Sequence, residues 1–353
     1  YGHLPHLVLF GLVGLGAALL GKGLGALSPL LVPAPGAAML LTILLDPVTA
    51  FVAAALLSIL AGVYAGFALE PAALAFLGSL AGVFGVLGAT QRGQIIRAGF
   101  LVALAQVAVS LSFTLAGGGM EQAKVTADVL ASLANGVLLA GVLTAGSLPF
   151  FENLFGLLTP FRLLELADPN QPLLRRLLLE APGTYHHSLL VANLAEAAAE
   201  AVGANALLAR VGAYYHDIGK IRRPYFFVEN QFGGRNPHDR LSPHLSALVI
   251  TSHVKDGLEL ARQYRLPEGL TRFIREHHGT TLVGYFYQRA VAAAGGGQKV
   301  GEERFRHQGP IPQSRETAIV MLADGAEAIV RSLPQPTTPR RLQAAVRRLI
   351  RER

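Results

Sequence analysis

The chain has 353 residues, of which 52% are hydrophobic and 15% are charged, with a formal net charge of +7 and no cysteine. This length accommodates two domains of ordinary size, and the lack of cysteine excludes disulfides and thiolate metal ligands. Any metal ion must therefore be held by imidazole and carboxylate groups.

Charged side chains divide the sequence into two parts of different character. Residues 1–148 contain eight charged side chains, whereas residues 149–353 contain the other 45 and all of the net charge. Nine of the eleven histidines also lie in the second part. This composition predicts a membrane bundle over residues 1–148, followed by a polar part of the chain that lies in water and carries the reactive side chains.

Six apolar segments in the first part are candidates for membrane spans, which need about 20 mostly apolar residues to cross the hydrocarbon core. They are 4–24, 30–45, 48–66, 71–89, 99–117 and 128–148. The second segment is short, and Asp46 followed by Pro47 predicts a tight helical hairpin with the third. Gly, Ala and Ser recur in these segments, which favours close packing of helices in lipid.

Basic residues in the short loops predict the orientation of the bundle. The loop over residues 90–99 carries Arg92 and Arg97 and no acidic residue, so we expect it to face the cytoplasm. With six spans, the second part of the chain lies on that same side of a bacterial cell membrane. Charges within the spans would indicate a transporter or channel, but here they sit at the span ends, which favours an anchoring and signal-transmitting bundle.

Three segments follow the bundle. Residues 149–180 are rich in Leu and Phe and are broken by prolines, and we interpret them as an amphipathic connector at the membrane interface. Residues 181–335 show helical periodicity almost throughout, which predicts an all-α domain and an all-α fold for the whole chain. Residues 336–353 are basic, and we interpret their arginines as membrane-surface or tail charge rather than as a site for a nucleic acid polymer.

Polar residues interrupt the apolar pattern of the 181–335 domain in a definite order. A histidine begins the first predicted helix, a His-Asp pair ends the second, a histidine lies within the third, a His-His pair ends the fourth and an aspartate lies in the fifth. These residues are His187, His216, Asp217, His253, His277, His278 and Asp324.

This residue set suits a site with two metal ions. Ions about 3.5–4 Å apart need a carboxylate that bridges them and imidazoles that complete each coordination shell. We therefore expect Asp217 to lie between the ions, His216 to bind one of them and Asp324 to close that ion's shell. Imidazole and carboxylate together favour Fe, Mn or Zn over Mg or Ca.

Five strings carry a resemblance to a known family. They are Gly-Thr-Tyr-His-His-Ser (183–188), Val-Gly-Ala-Tyr-Tyr-His-Asp-Ile-Gly-Lys (211–220), Asn-Pro-His-Asp (236–239), Ile-Thr-Ser-His-Val-Lys-Asp-Gly (250–257) and Phe-Ile-Arg-Glu-His-His-Gly-Thr (273–280). They resemble the HD-domain phosphohydrolases, and more closely the seven-transmembrane HD family of cyclic di-AMP phosphodiesterases. The resemblance implies that the seven residues above bind two divalent transition metal ions, with Fe or Mn expected, and that His186 is a neighbouring structural residue.

The resemblance also implies a reaction, the hydrolysis of cyclic di-AMP to the linear dinucleotide pApA. A hydroxide bridging the two ions would attack one phosphorus in line while the metals neutralise the phosphate oxygens. Asp217 and His216 would act through the metals, and Lys220 is placed to contact a phosphate, unless it is only a charge at a helix C-terminus. Weaker substrate-binding candidates, for which loop or packing roles stay open, are Arg235, His238, Tyr285 and Tyr287.

Two other functions stay open. The same site could act on cyclic di-GMP or another nucleotide, although residues 279–286 lack the Gly-Tyr-Pro that marks the cyclic di-GMP branch. A membrane receptor whose HD domain only binds nucleotide is the other alternative, and the complete ligand set argues against it. A homodimer would suit a membrane-coupled signalling enzyme, but no residue indicates one.

The chain departs from the family's usual form at several places. The large extracellular domain expected before the bundle is absent, and relatives continue past the basic segment, so we expect the chain to be part of a longer product. Residues 295–303 look like a flexible insertion that leaves the ligands unaffected.

Overall fold

The structure, a computed structural model, describes residues 4–118, 121–231, 233, 236–295, 299–334 and 338–352. Within these residues the regular structure is helical, apart from a single β-bridge between Leu282 and Arg306. The predicted all-α fold is therefore confirmed. The chain divides into two compact units, a membrane unit (Tyr1–Arg162) and a histidine-rich unit (Leu163–Arg353), and the division lies inside the predicted connector.

Apolar helices make up the described part of the membrane unit. They are α1 (Leu4–Leu24), α2 (Ala34–Leu44), α3 (Pro47–Tyr64), α4 (Leu69–Val86), α5 (Arg92–Ala116) and α6 (Gln122–Phe155). All but α2 are long and apolar enough to cross a membrane. Asp46 caps α3 by accepting a hydrogen bond from the Thr49 amide at 2.9 Å, and α2 and α3 form the short hairpin that the sequence predicts.

Helix α2 covers only part of the membrane thickness. Its 11 residues rise about 16 Å at 1.5 Å per residue, against a hydrocarbon core of about 30 Å. The preceding residues 30–33 are not helical, yet Leu30 and Val32 are buried. The side-chain amide of Asn135, on α6, donates to the carbonyls of Leu30 at 2.7 Å and Val32 at 3.1 Å. These bonds satisfy backbone that lipid could not satisfy.

Helix α6 is a continuous element of 34 residues that is π-helical over Ala134–Val142. The sixth span was expected to end at residue 148, but α6 continues through Pro149 to Phe155, and the left-handed Gly156 (φ 63°) ends it. Membrane helices tolerate an internal proline where neighbouring groups satisfy the freed backbone. At Gly136 the backbones of α5 and α6 come so close that a Cβ would lie 2.4 Å from the Ala103 nitrogen. Small residues thus allow the close packing that the sequence predicts.

The histidine-rich unit is built from helices joined by 3₁₀ turns. Helix α7 (Pro160–Leu166) contains the division between the units, and the helices that follow are α8 (Pro172–Glu180), α9 (Pro182–Ala201), α10 (Ala206–Tyr215), α11 (Pro243–Gln263), α12 (Glu268–Glu276), α13 (Gly284–Ala293), α14 (Arg315–Ser332) and α15 (Pro339–Glu352). Helix α9 packs against α10 and α14, and α11 packs against the turn Ile218–Arg222 that follows α10. This packing brings the polar residues of distant segments to one place.

One local expectation differs from the structure. Helix α9 begins at Pro182, so His187 lies in its second turn and not at its start. Gly183, in the first turn of α9, allows a close approach of the backbone, because a Cβ would lie 1.8 Å from the carbonyl oxygen of Glu229. The flexible insertion expected over residues 295–303 stays a prediction, because residues 296–298 lie outside the described residues. Phe305, just after it, is fully buried in a small apolar core with Phe286.

Candidate metal centre

The histidine-rich unit brings the seven predicted ligand residues into two adjoining clusters. Helices α9, α11 and α14 contribute His187, His253 and Asp324, and the ends of α10 and α12 contribute the two pairs. His216 and Asp217 follow α10 directly, and His277 and His278 follow α12. Apart from Asp324 and His278, which are partly exposed, these side chains are buried.

The first cluster consists of Asp217, His253, His277 and His278, whose ligand atoms all lie within 4.8 Å of one another. Oδ1 of Asp217 lies 3.3 Å from Nε2 of His253 and 3.6 Å from Nε2 of His277. The two Nε2 atoms are 3.2 Å apart. Three imidazole nitrogens therefore converge with one carboxylate oxygen in a space that suits a single ion.

The second cluster consists of His187, His216 and the same Asp217. Here the other carboxylate oxygen, Oδ2 of Asp217, lies 3.5 Å from Nε2 of His187 and 3.3 Å from Nε2 of His216. Oδ1 of Asp324 adds a second carboxylate, 3.1 Å from Nε2 of His187 and 3.9 Å from Nε2 of His216. Asp217 thus offers one oxygen to each cluster, which is the arrangement that a bridging carboxylate requires.

Backbone carbonyls orient three of the imidazoles. Nδ1 of His216 donates to the Ala213 carbonyl at 2.7 Å, and Nδ1 of His253 donates to the Ile250 carbonyl at 2.6 Å. Nδ1 of His277 lies 3.0 Å from the carbonyl oxygens of Phe273 and Ile274. With the proton held at Nδ1, the lone pair of each Nε2 faces the cluster, which is how metal-binding histidines are usually fixed.

Unsatisfied buried atoms test whether a metal fits this arrangement. Nε2 of His187, Nε2 of His216 and Oδ1 of Asp217 are buried and make no hydrogen bond. Buried polar atoms without a partner are costly, and each of the three can offer a lone pair to a cation, His187 once its charged ring has lost a proton. Imidazole nitrogen and carboxylate oxygen are ligands of Fe, Mn and Zn, so the residues fit a pair of divalent transition metal ions.

His187 is held by a residue that the sequence interpretation missed. Oε2 of Glu327 lies 2.8 Å from Nδ1 of His187. Burial disfavours the charged imidazole, but the nearby carboxylates of Asp324 and Glu327 outweigh it and raise the pKa of His187 to about 9. The only sequence signal for Glu327 is its place three residues after Asp324, on the same face of a helix.

Lys220 lies against the carboxylate that both clusters share. Its Nζ is 2.6 Å from Oδ2 of Asp217 and 2.8 Å from Oε1 of Glu229, a second residue that the sequence interpretation missed. Burial opposes ionisation of Asp217, yet the Lys220 ammonium and the neighbouring His216 hold its pKa well below the usual range. Burial likewise opposes the charge on Lys220, and the two carboxylates overcome it and raise its pKa.

The pKa values of the histidine pair at the end of α12 shift in the opposite direction to the pKa of His187. Burial lowers the pKa of His277 and of His278, and neighbouring imidazoles add to the effect at both. A third ring, that of His307, lies with its centroid 4.1 Å from that of His278 and is itself buried. The sequence interpretation did not single out His307, which sits in a polar stretch after the 295–303 segment. Burial therefore favours the neutral form of the His277 and His278 rings.

The weaker substrate-binding candidates differ in how far their side chains are buried. His238 is buried, with Nε2 2.9 Å from the Phe226 carbonyl and its ring against Phe286. Tyr287 packs against Phe305 in a small apolar core, whereas Tyr285 is 65% exposed. Arg235 lies outside the described residues. His186 is exposed, unlike its neighbour His187.

Two family models match the chain, "7TM receptor with intracellular HD hydrolase" over residues 3–159 and "HD domain" over residues 184–329. The chain is similar to the cyclic-di-AMP phosphodiesterase PgpH of Bacillus subtilis, with 47% identity over 282 residues that make up 78% of this chain and 38% of the relative. The protein of the same name from Listeria monocytogenes is 46% identical over 248 residues, which are 70% of this chain and 34% of the relative. The chain therefore spans little more than a third of the length of these relatives.

A solved structure resembles the histidine-rich unit. It is the HD domain of L. monocytogenes phosphodiesterase PgpH in complex with cyclic-di-AMP, which matches with a TM-score of 0.50 and 48% identity. The match covers 53% of this chain and 85% of that one.

Proposed function

Since the chain belongs to the family of seven-transmembrane receptors with an intracellular HD hydrolase domain, we propose that it is a membrane-anchored phosphodiesterase that hydrolyses cyclic di-AMP to the linear dinucleotide pApA. The observation that carries the proposal is the shared Asp217, with one oxygen in each of two clusters. The named relatives and the structure with bound cyclic-di-AMP support the substrate.

Two divalent transition metal ions, with Fe or Mn expected from the family resemblance, would be held by the seven residues of the two clusters. Asp217 would contact both ions. When bound, such ions supply Lewis acidity to a phosphate and a water molecule activated for attack on phosphorus.

The chain's own residues prepare this site in two ways. Lys220 keeps Asp217 ionised, so the carboxylate is ready to bind cations without first losing a proton. The carbonyls behind His216, His253 and His277 keep each Nε2 free of a proton and aimed at Asp217. Both effects prepare the ligand residues before substrate arrives. Such preorganisation lowers the reaction barrier because reacting groups are already held in position.

Lys220 is also placed to donate a hydrogen bond to the substrate. An ammonium group has three N–H donors, and two of them serve Asp217 and Glu229. The third remains for a phosphate oxygen, and the side chain keeps 12% of its surface exposed. Lys220 therefore neutralises the bridging carboxylate and contacts the substrate phosphate from the same position.

Basic residues of the membrane unit support a cytoplasmic location for the catalytic part. Arg92 and Arg97 lie in the first two turns of α5, next to the short connection from α4, and their positive charge favours the cytoplasmic side of a bacterial membrane for this end of α5. With α6 crossing back, the histidine-rich unit lies on the cytoplasmic side, where a nucleotide messenger is found. A homodimer is an expectation from the sequence alone.

Turnover assays with separate substrates test the proposal. The purified chain in detergent, loaded with Mn or Fe, is offered cyclic di-AMP and cyclic di-GMP, beside an Asp217→Ala variant and an Asp168→Ala control at an exposed aspartate. We expect pApA from cyclic di-AMP, no turnover by Asp217→Ala and full turnover by the control.

Each alternative gives a distinct result. Preference for cyclic di-GMP would overturn the substrate, and equal turnover by Asp217→Ala would overturn the two-metal site. Tight binding of nucleotide without any product, in a chain that holds two metal ions, would favour the receptor alternative. A metal content of one ion per chain would contradict the shared carboxylate.

A further inference from the structure

Helix α15 (Pro339–Glu352) presents an unusual concentration of positive charge. Its described arginines are all exposed, and they are Arg340, Arg341, Arg347, Arg348 and Arg351. Among the described residues, the carboxylate paired with one of them is Glu352, 2.6 Å from Arg348. The remaining guanidinium groups therefore face solvent without a compensating acid in the part of the chain that the structure describes.

Helical geometry collects these charges on one side. At 3.6 residues per turn, Arg340, Arg347 and Arg351 fall within a narrow arc of the helix, with Arg348 beside them. Together with Ala344 and neighbouring residues they line one surface groove. We call this side of α15 the arginine face.

The opposite side of α15 is apolar and anchors the helix to the unit. Leu349 is 5% exposed and packs over Gly325 of α14, where a Cβ would lie 3.1 Å from a Leu349 methyl group. Gly325 is the residue after Asp324, so α15 rests on the helix that carries a candidate metal ligand. The arginine face consequently points away from the body of the unit.

One apolar side chain borders the arginine face and remains exposed. Ile350 lies about 80° from Arg340 around the helix and is 55% exposed, whereas Leu342 lies on the same side of α15 as Leu349. A basic helical face beside an exposed aliphatic side chain suits the headgroup region of a bilayer, where charged and apolar groups are both accommodated. The described part of α15 has no aromatic residue on which a nucleic acid base could stack.

We propose that α15 binds the anionic headgroups of phospholipids through its arginine face. Clusters of basic residues on an amphipathic helix are attracted by the negative surface potential of anionic lipid. Because the same chain carries membrane-spanning helices, a bilayer is present at high effective concentration, and several weak contacts suffice for binding. The inference stands independently of the reaction that the histidine-rich unit performs.

A fluorescent label on the arginine face tests the proposal in the full chain. The sequence has no cysteine, so Ala344→Cys provides a single labelling site within the groove. The labelled chain is reconstituted into nanodiscs of phosphatidylcholine, with or without phosphatidylglycerol and a lipid-attached quencher. We expect a blue shift and quenching only with phosphatidylglycerol, and loss of both at high salt because exposed charges are screened.

A matched pair of variants separates the arginine face from net charge. Arg340→Gln/Arg347→Gln/Arg351→Gln should abolish the lipid response. The control removes the same charge from exposed positions elsewhere, with Arg262→Gln/Arg272→Gln/Arg304→Gln, and should keep the response. Both variants should unfold at the same temperature as the labelled parent chain, which separates loss of binding from misfolding.

Three results would overturn the proposal. The first is equal emission in the two lipid compositions. The second is a lipid response that survives removal of Arg340, Arg347 and Arg351. The third is a response to a nucleic acid duplex in phosphatidylcholine discs without any response to phosphatidylglycerol, which would assign the arginine face to a nucleic acid polymer.

Discussion

One turn of α14 holds His187 from both edges of its ring. Oδ1 of Asp324 lies 3.1 Å from Nε2 of His187, and Oε2 of Glu327 lies 2.8 Å from Nδ1 of the same ring. The two acids are three residues apart, so a single helical turn fixes the imidazole in position and in protonation. Glu327 is therefore the residue that orients His187. Backbone carbonyls do the same for the rings of His216, His253 and His277.

Replacing Glu327 should weaken metal binding. Glu327→Ala removes the partner of Nδ1 and should lower metal affinity or activity about 10–100-fold, as loss of a partner behind a metal-binding histidine usually does. Glu327→Gln keeps an oxygen acceptor and should lose less. Metal content after dialysis, measured beside turnover, checks the prediction. Glu200→Ala on α9 is an exposed control, and equal losses in it would contradict the assignment.

Removing the Lys220 charge should destabilise the metal-free protein. Lys220→Met leaves the carboxylates of Asp217 and Glu229 buried without their cation, which costs about 3–5 kcal/mol of unfolding free energy for a broken buried pair. Adding Glu229→Gln should recover part of this loss. Denaturant unfolding of the metal-free chain measures the effect, with the exposed Lys255→Met as control. Additive losses in the double variant would rule out the coupling.

Two glycine-to-alanine substitutions should act in opposite directions. A Cβ at Gly219 would lie 1.8 Å from the carbonyl oxygen of His253, so Gly219→Ala must move α11 and His253 with it. Such overpacking costs about 1–3 kcal/mol. Gly284, at the start of α13, has open space around a Cβ, and Gly284→Ala should gain about 0.5–1 kcal/mol. Thermal unfolding distinguishes them, and equal shifts would contradict the model of close approach.

Metal binding should release a proton from His187. Its pKa of about 9 means that the ring is charged at neutral pH without metal, and this charge contributes stability in full below the ordinary value of 6.5 and loses it as pH rises through about 9. A metal needs the neutral ring, so metal affinity should increase with pH across that window. His277 and His278, with lowered pKa values, contribute no such proton.

Calorimetry measures this release. Metal titrations in two buffers of different ionisation enthalpy should give different heats, and the difference should shrink in Glu327→Gln. Identical heats in both buffers would show that His187 is already neutral before metal binds.

The sequence predicts the members of the metal centre better than its supports. His187, His253 and Asp324 each interrupt an apolar helical pattern, and such interruptions are visible in a single sequence. Glu327 and Glu229 look like ordinary surface acids, because their meaning depends on partners 140 residues away at His187 and nine residues away at Lys220. Pairs at such separations leave no periodic signal in the sequence.

In the membrane unit, too, the sequence predicts some features and not others. Apolar content predicts where the helices α1 to α6 lie, since it measures how well a segment suits lipid. Apolar content does not show whether the backbone is helical, so the predicted second span includes residues 30–33, which are not helical. In the structure Asn135 satisfies the carbonyls of Leu30 and Val32. Apolar content also cannot show that Pro149 leaves α6 unbroken, because the cost of a proline depends on neighbouring groups.

The main-chain carbonyls behind His216, His253 and His277 have a consequence for how this site can evolve. Each carbonyl belongs to the helical turn just before its own histidine, so no side-chain substitution removes it. The orientation of these rings is therefore robust to most point mutations. His187 depends instead on the side chain of Glu327, which a single codon change can replace. Natural variation in metal preference within such proteins should accordingly appear at position 327 before it appears around the other three histidines.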